Sequence, residues 1–222
     1  MIHFLTFYSQ SFTKQEENLR TTLEVLYPQY KYCAINLDDT YSGTDHTEKN
    51  KFNYYSFKPE LLLKYLQNVP LGDIIIYLDT NDLPQFGLVE YINDTMSQLE
   101  IDLIVSTTNY FQKSMRHPKT KEFLSATFYK VCGYMLQPEA GCIALKKTTT
   151  TTTKVANWLH YTQLIAQINR EHPDKQSRHD QEALTYTLFQ TRGNLVENWY
   201  CHKLFGTTGL RTYIKFEGNR ID

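Results

Sequence analysis

The stretch that decides the fold reads GDIIIYLDTNDLP and occupies residues 72–84. Residues 74–78 are all apolar or aromatic, which is typical of a strand buried on both faces of a sheet. The run stops at Asp79, and Asn81 and Asp82 follow at once. Carboxylate and amide oxygens grouped at a strand end predict either a polar turn or a site for a hard divalent cation such as Mg²⁺ or Mn²⁺.

Composition and charge narrow the class of protein. The 222 residues are 41% hydrophobic and 21% charged, as in globular proteins, and this length predicts a single domain over residues 1–222. The formal net charge of -1 gives no general attraction to nucleic acid, so no such partner is expected. No secretion signal and no apolar run of roughly 20 residues is recognisable, so we expect a soluble, cytoplasmic protein. The four cysteines form no C-x-x-C pair and predict neither a zinc knuckle nor a disulfide framework.

Strand and helix patterns alternate along the chain. Strands are predicted at residues 2–8, 30–37, 73–78, 100–107, 140–147 and 194–200, and helices at residues 13–28, 58–69, 121–131, 155–168 and 177–190. The polar loop 38–53 is long enough to be a lid or a binding segment, and the threonine tract 148–153 is interpreted as a solvated connection. This alternation predicts an α/β fold in which helices flank a mostly parallel, mixed sheet.

The segment FKPELLLKYLQNVPLGDIIIYLDTND, residues 57–82, resembles the segment that leads to the DxD motif of glycosyltransferases with the GT-A fold. In that family the first and third residues of the motif hold a divalent metal that bridges the diphosphate of a nucleotide sugar. The resemblance places Asp79 and Asn81 there and leaves open whether Asn81 or Asp82 completes the metal site. It implies a Rossmann-like single domain, a Mn²⁺ or Mg²⁺ ion and a UDP-sugar donor.

Three further stretches resemble the same family. QPEAGCIALKK is similar to a strand of the glycogenin and lipooligosaccharide-galactosyltransferase kind, which places Glu139 facing the donor sugar. RHDQEAL is similar to the element that opens a helix and directs polar side chains at the transferred sugar, and it implicates Asp180 and Gln181. CHKLFGTTGL resembles the C-terminal His-x-x-Gly segment, which makes His202 a candidate metal ligand.

The first strand ends in TFYSQSF, where the family places the nucleotide base. Thr6 and Ser9 are therefore candidates to hydrogen-bond a pyrimidine, and Tyr8 to stack on it. Thr80, inside the metal motif, and Lys58, ahead of the strand, are also assigned to donor binding, since a cation can neutralise a diphosphate.

Every one of these assignments has a purely structural alternative. Asp180 lies near a predicted helix start, where a carboxylate satisfies free N–H groups. Glu139 can be a bulge or an exposed edge residue, and His202 can cap or pack. Lys58 can simply begin a helix, and the segment after the first strand can be an ordinary turn.

The predicted function is that of a metal-dependent hexosyltransferase that moves a sugar from a UDP-sugar to a glycan or another hydroxyl acceptor. Residues 1–107 would bind nucleotide and metal, and residues 108–222 would bind sugar and acceptor. The family occurs in bacterial surface-glycan synthesis and in large viruses that glycosylate their capsids, and a viral enzyme would work in the host cytoplasm. An inverting reaction would need Asp180 or Glu139 as base, whereas a retaining reaction would need none.

Two other functions compete with this prediction. A magnesium-dependent phosphohydrolase of the haloacid dehalogenase type also has Asp-x-Asp after an apolar strand, but it uses its first strand, whereas Asp79 follows the third predicted strand. A carbohydrate-binding protein that has kept the fold and lost its catalytic activity would explain the imperfect motif.

Overall fold

The structure is a computed structural model, and it describes residues 1–41, 56–111, 117–123, 130, 136–172, 179–190 and 214–216. The strands are β1 (Ile2–Tyr8), β2 (Lys31–Asn36), β3 (Ile74–Leu78), β4 (Asp82–Pro84), β5 (Leu103–Phe111), β6 (Leu136–Lys146) and β7 (Ile214–Phe216). The α-helices are α1 (Thr13–Leu26), α2 (Leu37–Thr40), α3 (Phe57–Gln67), α4 (Leu88–Leu99), α5 (Thr149–Glu171) and α6 (His179–Gln190). Short 3-10 helices occupy Gln10–Phe12 and Pro118–Glu122.

Some predicted features lie outside the described residues. These are the strand at 194–200, residue His202, most of the loop 38–53 and most of the helix at 121–131. No helix in the part of the chain that the structure describes is both long and apolar enough to cross a membrane.

Five strands form one sheet in the order β2-β1-β3-β6-β5. β1 pairs in parallel with β2 and β3, and β6 lies antiparallel between β3 and β5. Four of the five strands therefore run in one direction, which confirms the predicted mixed, mostly parallel sheet. β4 and β7 form a separate two-stranded antiparallel sheet.

Helices cover both faces of the five-stranded sheet. Ile75 and Tyr77 of β3 belong to a buried apolar cluster with α3, α5 and α6, whereas Ile76 and Leu78 belong to one with α1 and α4. Successive side chains of a strand point to opposite faces, so a strand covered on both faces needs an unbroken apolar run. This explains why residues 74–78 carry no charge.

The threonine tract is part of a helix, and its interpretation as a solvated connection is wrong. Thr148 is the N-cap of α5, and its hydroxyl accepts a hydrogen bond from the backbone N–H of Thr151 at 3.1 Å. The hydroxyl of Thr151 accepts in return from the backbone N–H of Thr148 at 2.9 Å. Such a capping box satisfies N–H groups that the first turn leaves free, and this outweighs the weak helix propensity of threonine.

β6 is longer and less regular than predicted. It begins at Leu136. Val105 of β5 pairs with Ile143 and Thr107 pairs with Pro138, so a step of two residues in β5 lies opposite a step of five in β6. The extra residues of β6 form an irregularity in the ladder, which includes Gly141. This is the part of the strand that reaches the end of β3.

Candidate active site

The carboxylate of Asp79 lies directly after β3, at the edge of the sheet where the parallel strands end. Its backbone N–H donates to the carbonyl oxygen of Gly141 at 2.7 Å, and its side chain keeps 39% of its surface exposed. The hydroxyl of Tyr77 donates to Oδ1 at 2.5 Å, and the ammonium of Lys58 lies 3.1 Å from both carboxylate oxygens. Asp79 is therefore held by buried donors and is still accessible from solvent.

The ammonium of Lys58 joins two carboxylates that are far apart in the sequence. Lys58 lies in the first turn of α3, and its Nζ is 3.1 Å from Asp79 and 3.4 Å from Oδ2 of Asp180. It also donates to the carbonyl oxygen of Ala140 at 3.4 Å. Burial alone lowers the pKa of Lys58, but the charges of Asp79 and Asp180 offset this and hold its pKa above the ordinary value. Lys58 is thus a buried permanent cation placed between two acids.

Asp180 is positioned by the start of α6. Its Oδ1 accepts from the backbone N–H of Gln181 at 3.0 Å, and its backbone carbonyl accepts from the indole N–H of Trp158 on α5 at 2.8 Å. Asp180 therefore contacts the helix terminus and the Lys58 ammonium together. The side-chain Oε1 of Gln181 is buried and accepts no hydrogen bond from any described residue.

Asp79 and Asp82 face the same small space above Gly141. The backbone N–H of Asp82 donates to the carbonyl oxygen of Asp79 at 2.8 Å, which turns the chain back after β3. A Cβ atom placed on Gly141 would lie 2.6 Å from Oδ2 of Asp82 and 3.1 Å from Oδ2 of Asp79. Both distances are too short for a side chain to fit without movement. The absence of a side chain at Gly141 therefore lets both carboxylates approach this point of β6.

This pair of carboxylates fits a hard divalent cation that takes its remaining ligands from elsewhere. Mg²⁺ is usually held by one or two carboxylates together with water and substrate phosphates. Within the described ranges, no three His, Cys, Asp or Glu side chains are grouped to hold a metal. Asp82 approaches Gly141 together with Asp79, whereas Asn81 is half-buried in the same turn. The predicted ligand His202 lies outside the described residues.

Glu139 and Thr80 are the remaining predicted residues near this edge. Both are buried: Glu139 precedes Ala140 on β6, and Thr80 lies in the turn between Asp79 and Asp82. The carbonyl of Ala140 contacts Lys58, so Glu139 is one residue from the Lys58 environment.

The residues assigned to the nucleotide base have different surroundings. The hydroxyl of Thr6 donates to the carbonyl oxygen of Leu78 at 2.7 Å and is fully buried. Thr6 therefore links β1 to β3 and has no surface to offer a base, which corrects its assignment. Tyr8 is half-buried at the end of β1, and the hydroxyl of Ser9 lies 2.9 Å from that of Ser11.

Tyr77 and the space above Gly141 were not found in the sequence. Burial and then the charge of Asp79 raise the pKa of Tyr77 well above its ordinary value, so its hydroxyl stays protonated and donates. The sequence contains one signal for this contact, because Tyr77 stands in an aliphatic run two residues before Asp79. Residues i and i+2 of a strand share a face, so this spacing places the two side chains together.

Comparison with known proteins gives distant structural similarity only. No protein-family profile and no curated protein sequence matches the chain. The galactosyltransferase LgtC, solved with donor and acceptor sugar analogues, is 12% identical with a TM-score of 0.43, over 83% of this chain and 69% of that one. A glycosyltransferase involved in glycosylation of the major capsid of PBCV-1 is 10% identical with a TM-score of 0.47, over 86% and 77%.

A third structure contains a nucleotide and a metal. It is glucosyl-3-phosphoglycerate synthase from Mycobacterium tuberculosis in complex with Mn²⁺, UDP and phosphoglyceric acid, 13% identical with a TM-score of 0.40, over 77% of this chain and 64% of that one. These solved structures include enzymes of the kind that the sequence resembles. Any function of the present chain depends on its own side chains.

Proposed function

We propose that this chain is a metal-dependent glycosyltransferase that moves a sugar from a UDP-sugar to a hydroxyl acceptor. The observation that carries the proposal is the pair of carboxylates, Asp79 and Asp82, that approach Gly141 together. Lys58 joins the first of them, Asp79, to Asp180. Such an arrangement would suit a cation at the two carboxylates and a polar substrate at Asp180.

Asp79 and Asp82 would hold Mn²⁺ or Mg²⁺, with phosphate oxygens of the donor among the other ligands. The bound metal would supply positive charge to the leaving diphosphate. His202 is kept as a further candidate ligand. Lys58 stays charged beside Asp79, so it adds positive charge at the same place and limits the mutual repulsion of the acids.

Asp180, Gln181 and Glu139 would contact the transferred sugar. The buried Oε1 of Gln181 accepts no hydrogen bond from the part of the chain that the structure describes, and such acceptors are rare in folded proteins unless a ligand or water satisfies them. A sugar hydroxyl is a suitable donor. Tyr8 and Ser9, at the end of β1, remain the proposed contacts of the base, and Thr80 a proposed contact of the donor.

The position of Asp79 in the sheet favours a transferase over a phosphohydrolase of the haloacid dehalogenase type. That type carries its motif after its first strand, whereas Asp79 follows β3. The same proposal includes an acceptor in a surface or capsid glycan and a cytoplasmic location. It also assigns nucleotide and metal binding to residues 1–107 and sugar and acceptor binding to residues 108–222.

Thermal unfolding with UDP, GDP and ADP, each in Mn²⁺ and in chelator, tests the proposal. We expect UDP with Mn²⁺ to give the largest rise in Tm. At 100 times the Kd, binding adds about 2.7 kcal/mol, or roughly 5–10 °C for a chain of this size. Equal stabilisation by UDP in chelator and in Mn²⁺ would contradict the proposal. Release of sugar from a UDP-sugar then separates an enzyme from an inactive binding protein.

Gly141→Ala is expected to weaken Mn²⁺-dependent UDP binding by about tenfold or more, because the new methyl group would displace the carboxylates of Asp82 and Asp79. The Kd for UDP in Mn²⁺, measured by calorimetry, checks this. Gly72→Ala is the control: Gly72 has a φ of 89° with no atom within 4 Å of an added Cβ. It should lose about 1–2 kcal/mol of stability and keep its UDP affinity. Unchanged affinity in Gly141→Ala would show that the space is not used.

A further inference from the structure

The hydroxyl of Tyr77 is a buried polar group inside an apolar strand. Tyr77 is 2% exposed and its ring belongs to the cluster between the sheet and α3, α5 and α6. A hydroxyl in such a place destabilises the fold unless it has a partner. Its partner is Oδ1 of Asp79 at 2.5 Å, on the same face of the strand two residues later.

The ring of Tyr77 is held from two sides. The ring of Phe7 on β1 packs against it at a centroid distance of 4.9 Å and an angle of 35°. The ammonium of Lys58 lies 5.8 Å from the ring centroid, within the range of a cation–π contact. The hydroxyl therefore has a fixed position, and so does the carboxylate oxygen that it contacts.

Tyr77 and Lys58 together restrict the Asp79 carboxylate to one orientation. Oδ1 accepts from Tyr77, whereas Oδ2 accepts from Lys58 and lies 3.1 Å from the point where a Gly141 Cβ would be. Lys58 lies 3.1 Å from both oxygens, so its contact constrains the rotation of the carboxylate less than a bond to one oxygen does. The Tyr77 hydroxyl contacts one oxygen only, so it fixes the rotation of the carboxylate about its Cβ–Cγ bond and directs the other oxygen toward Gly141.

We propose that Tyr77 is a positioning residue, whose hydroxyl holds Oδ1 of Asp79 so that Oδ2 faces the cation space above Gly141. The expected consequence is tighter binding of Mn²⁺, and this consequence rests on the proposed function. Groups that orient a metal ligand typically change metal affinity by about 10–100-fold when they are removed. Tyr77 would contact neither the metal nor the substrate.

The test is Tyr77→Phe, which removes one oxygen atom and keeps the ring. Free Mn²⁺, counted by electron paramagnetic resonance in a titration without nucleotide, gives the Kd of Mn²⁺. We expect this Kd to rise about 10–100-fold. Tyr186→Phe is the matched control, since Tyr186 is 1% exposed and its hydroxyl donates to Glu182 at the same 2.5 Å. The control should bind Mn²⁺ like the wild type.

A second background separates positioning from general loss of packing. In Asp79→Asn, the further change Tyr77→Phe should leave the already weakened Mn²⁺ affinity nearly unchanged, because both substitutions act through one carboxylate. Fully additive effects, an unchanged Kd in Tyr77→Phe, or equal losses in Tyr77→Phe and Tyr186→Phe would overturn the assignment.

A crystal structure of Tyr77→Phe gives a readout that does not depend on the proposed function. If wild-type protein binds no Mn²⁺, the proposed function fails. The orientation of the Asp79 carboxylate in the variant still shows whether Tyr77 positions it. A carboxylate that rotates away from its wild-type position supports the assignment. A carboxylate that keeps its position without the Tyr77 hydroxyl overturns it.

Discussion

Asp79→Asn is expected to remove the Mn²⁺-dependent stabilisation by UDP and to weaken UDP binding in Mn²⁺ by at least about 100-fold. The substitution keeps the shape of the side chain and an oxygen that accepts from Tyr77, but it removes the charge that a divalent cation requires. Alanine is a poorer choice, because it would leave the Tyr77 hydroxyl without its acceptor and Lys58 with fewer contacts. Calorimetry with UDP in Mn²⁺ and in chelator measures the loss.

Asp73→Asn is the matched control for this experiment. Asp73 precedes β3 as Asp79 follows it, and its carboxylate pairs with His3 at 3.0 Å, away from the proposed site. We expect normal UDP binding in this variant. Asp82→Asn and Asn81→Ala, measured beside it, identify the second ligand, and the geometry predicts the larger loss for Asp82. An Asp79→Asn protein that binds UDP in Mn²⁺ like the wild type would exclude Asp79 as a ligand.

Asp180→Asn is expected to lower sugar transfer or donor hydrolysis by roughly 10²-fold or more while UDP affinity changes little. Asparagine keeps an oxygen that accepts from the backbone N–H of Gln181, so the start of α6 is preserved. Lys58 keeps its contact with Asp79. The loss would therefore report the charge of Asp180, which would act on the sugar and also pairs with Lys58. Turnover and UDP affinity are measured on the same preparation.

Glu90→Gln provides the comparison for Asp180→Asn. Glu90 is an exposed carboxylate in the first turn of α4, so this variant changes the charge at a helix start without touching the site. It should keep normal turnover. If Asp180→Asn also turns over normally, Asp180 is a helix cap and Glu139 becomes the candidate for the sugar. A large loss of UDP affinity would instead place Asp180 with the nucleotide.

The fold was predictable because its signals are local. The apolar run of β3 can be read directly from the sequence. The alternation of strand and helix patterns along the chain follows in the same way from hydrophobic periodicity. β6 was predicted to begin too late, since residues 136–139 include Pro138 and Glu139 and do not look like a strand. Pro138 pairs with Thr107 next to the ladder irregularity, a context that only the neighbouring strand provides.

The site was predictable only in part, because its contacts are made between distant segments. Asp79, Asp82 and Asp180 were selected from motifs, and the structure brings them to one edge of the sheet, while their roles stay predictions. The bridge through Lys58 depends on how α3 and α6 pack, and no sequence spacing encodes that distance. Thr6 was misassigned because its partner is a carbonyl of an adjacent strand, which sequence reading cannot see.

The place of β6 in the sheet also affects how the protein is made. β1, β2, β3 and β5 precede β6 in the chain, yet β6 is the strand that lies between β3 and β5. Until residues 136–146 have left the ribosome, one edge of β3 carries unpaired N–H and C=O groups. Open, apolar strand edges pair readily with other chains. A chain interrupted before Leu136 would keep this edge open, so the strand that brings Gly141 to the carboxylates is also the one that covers the central edge of β3 during synthesis.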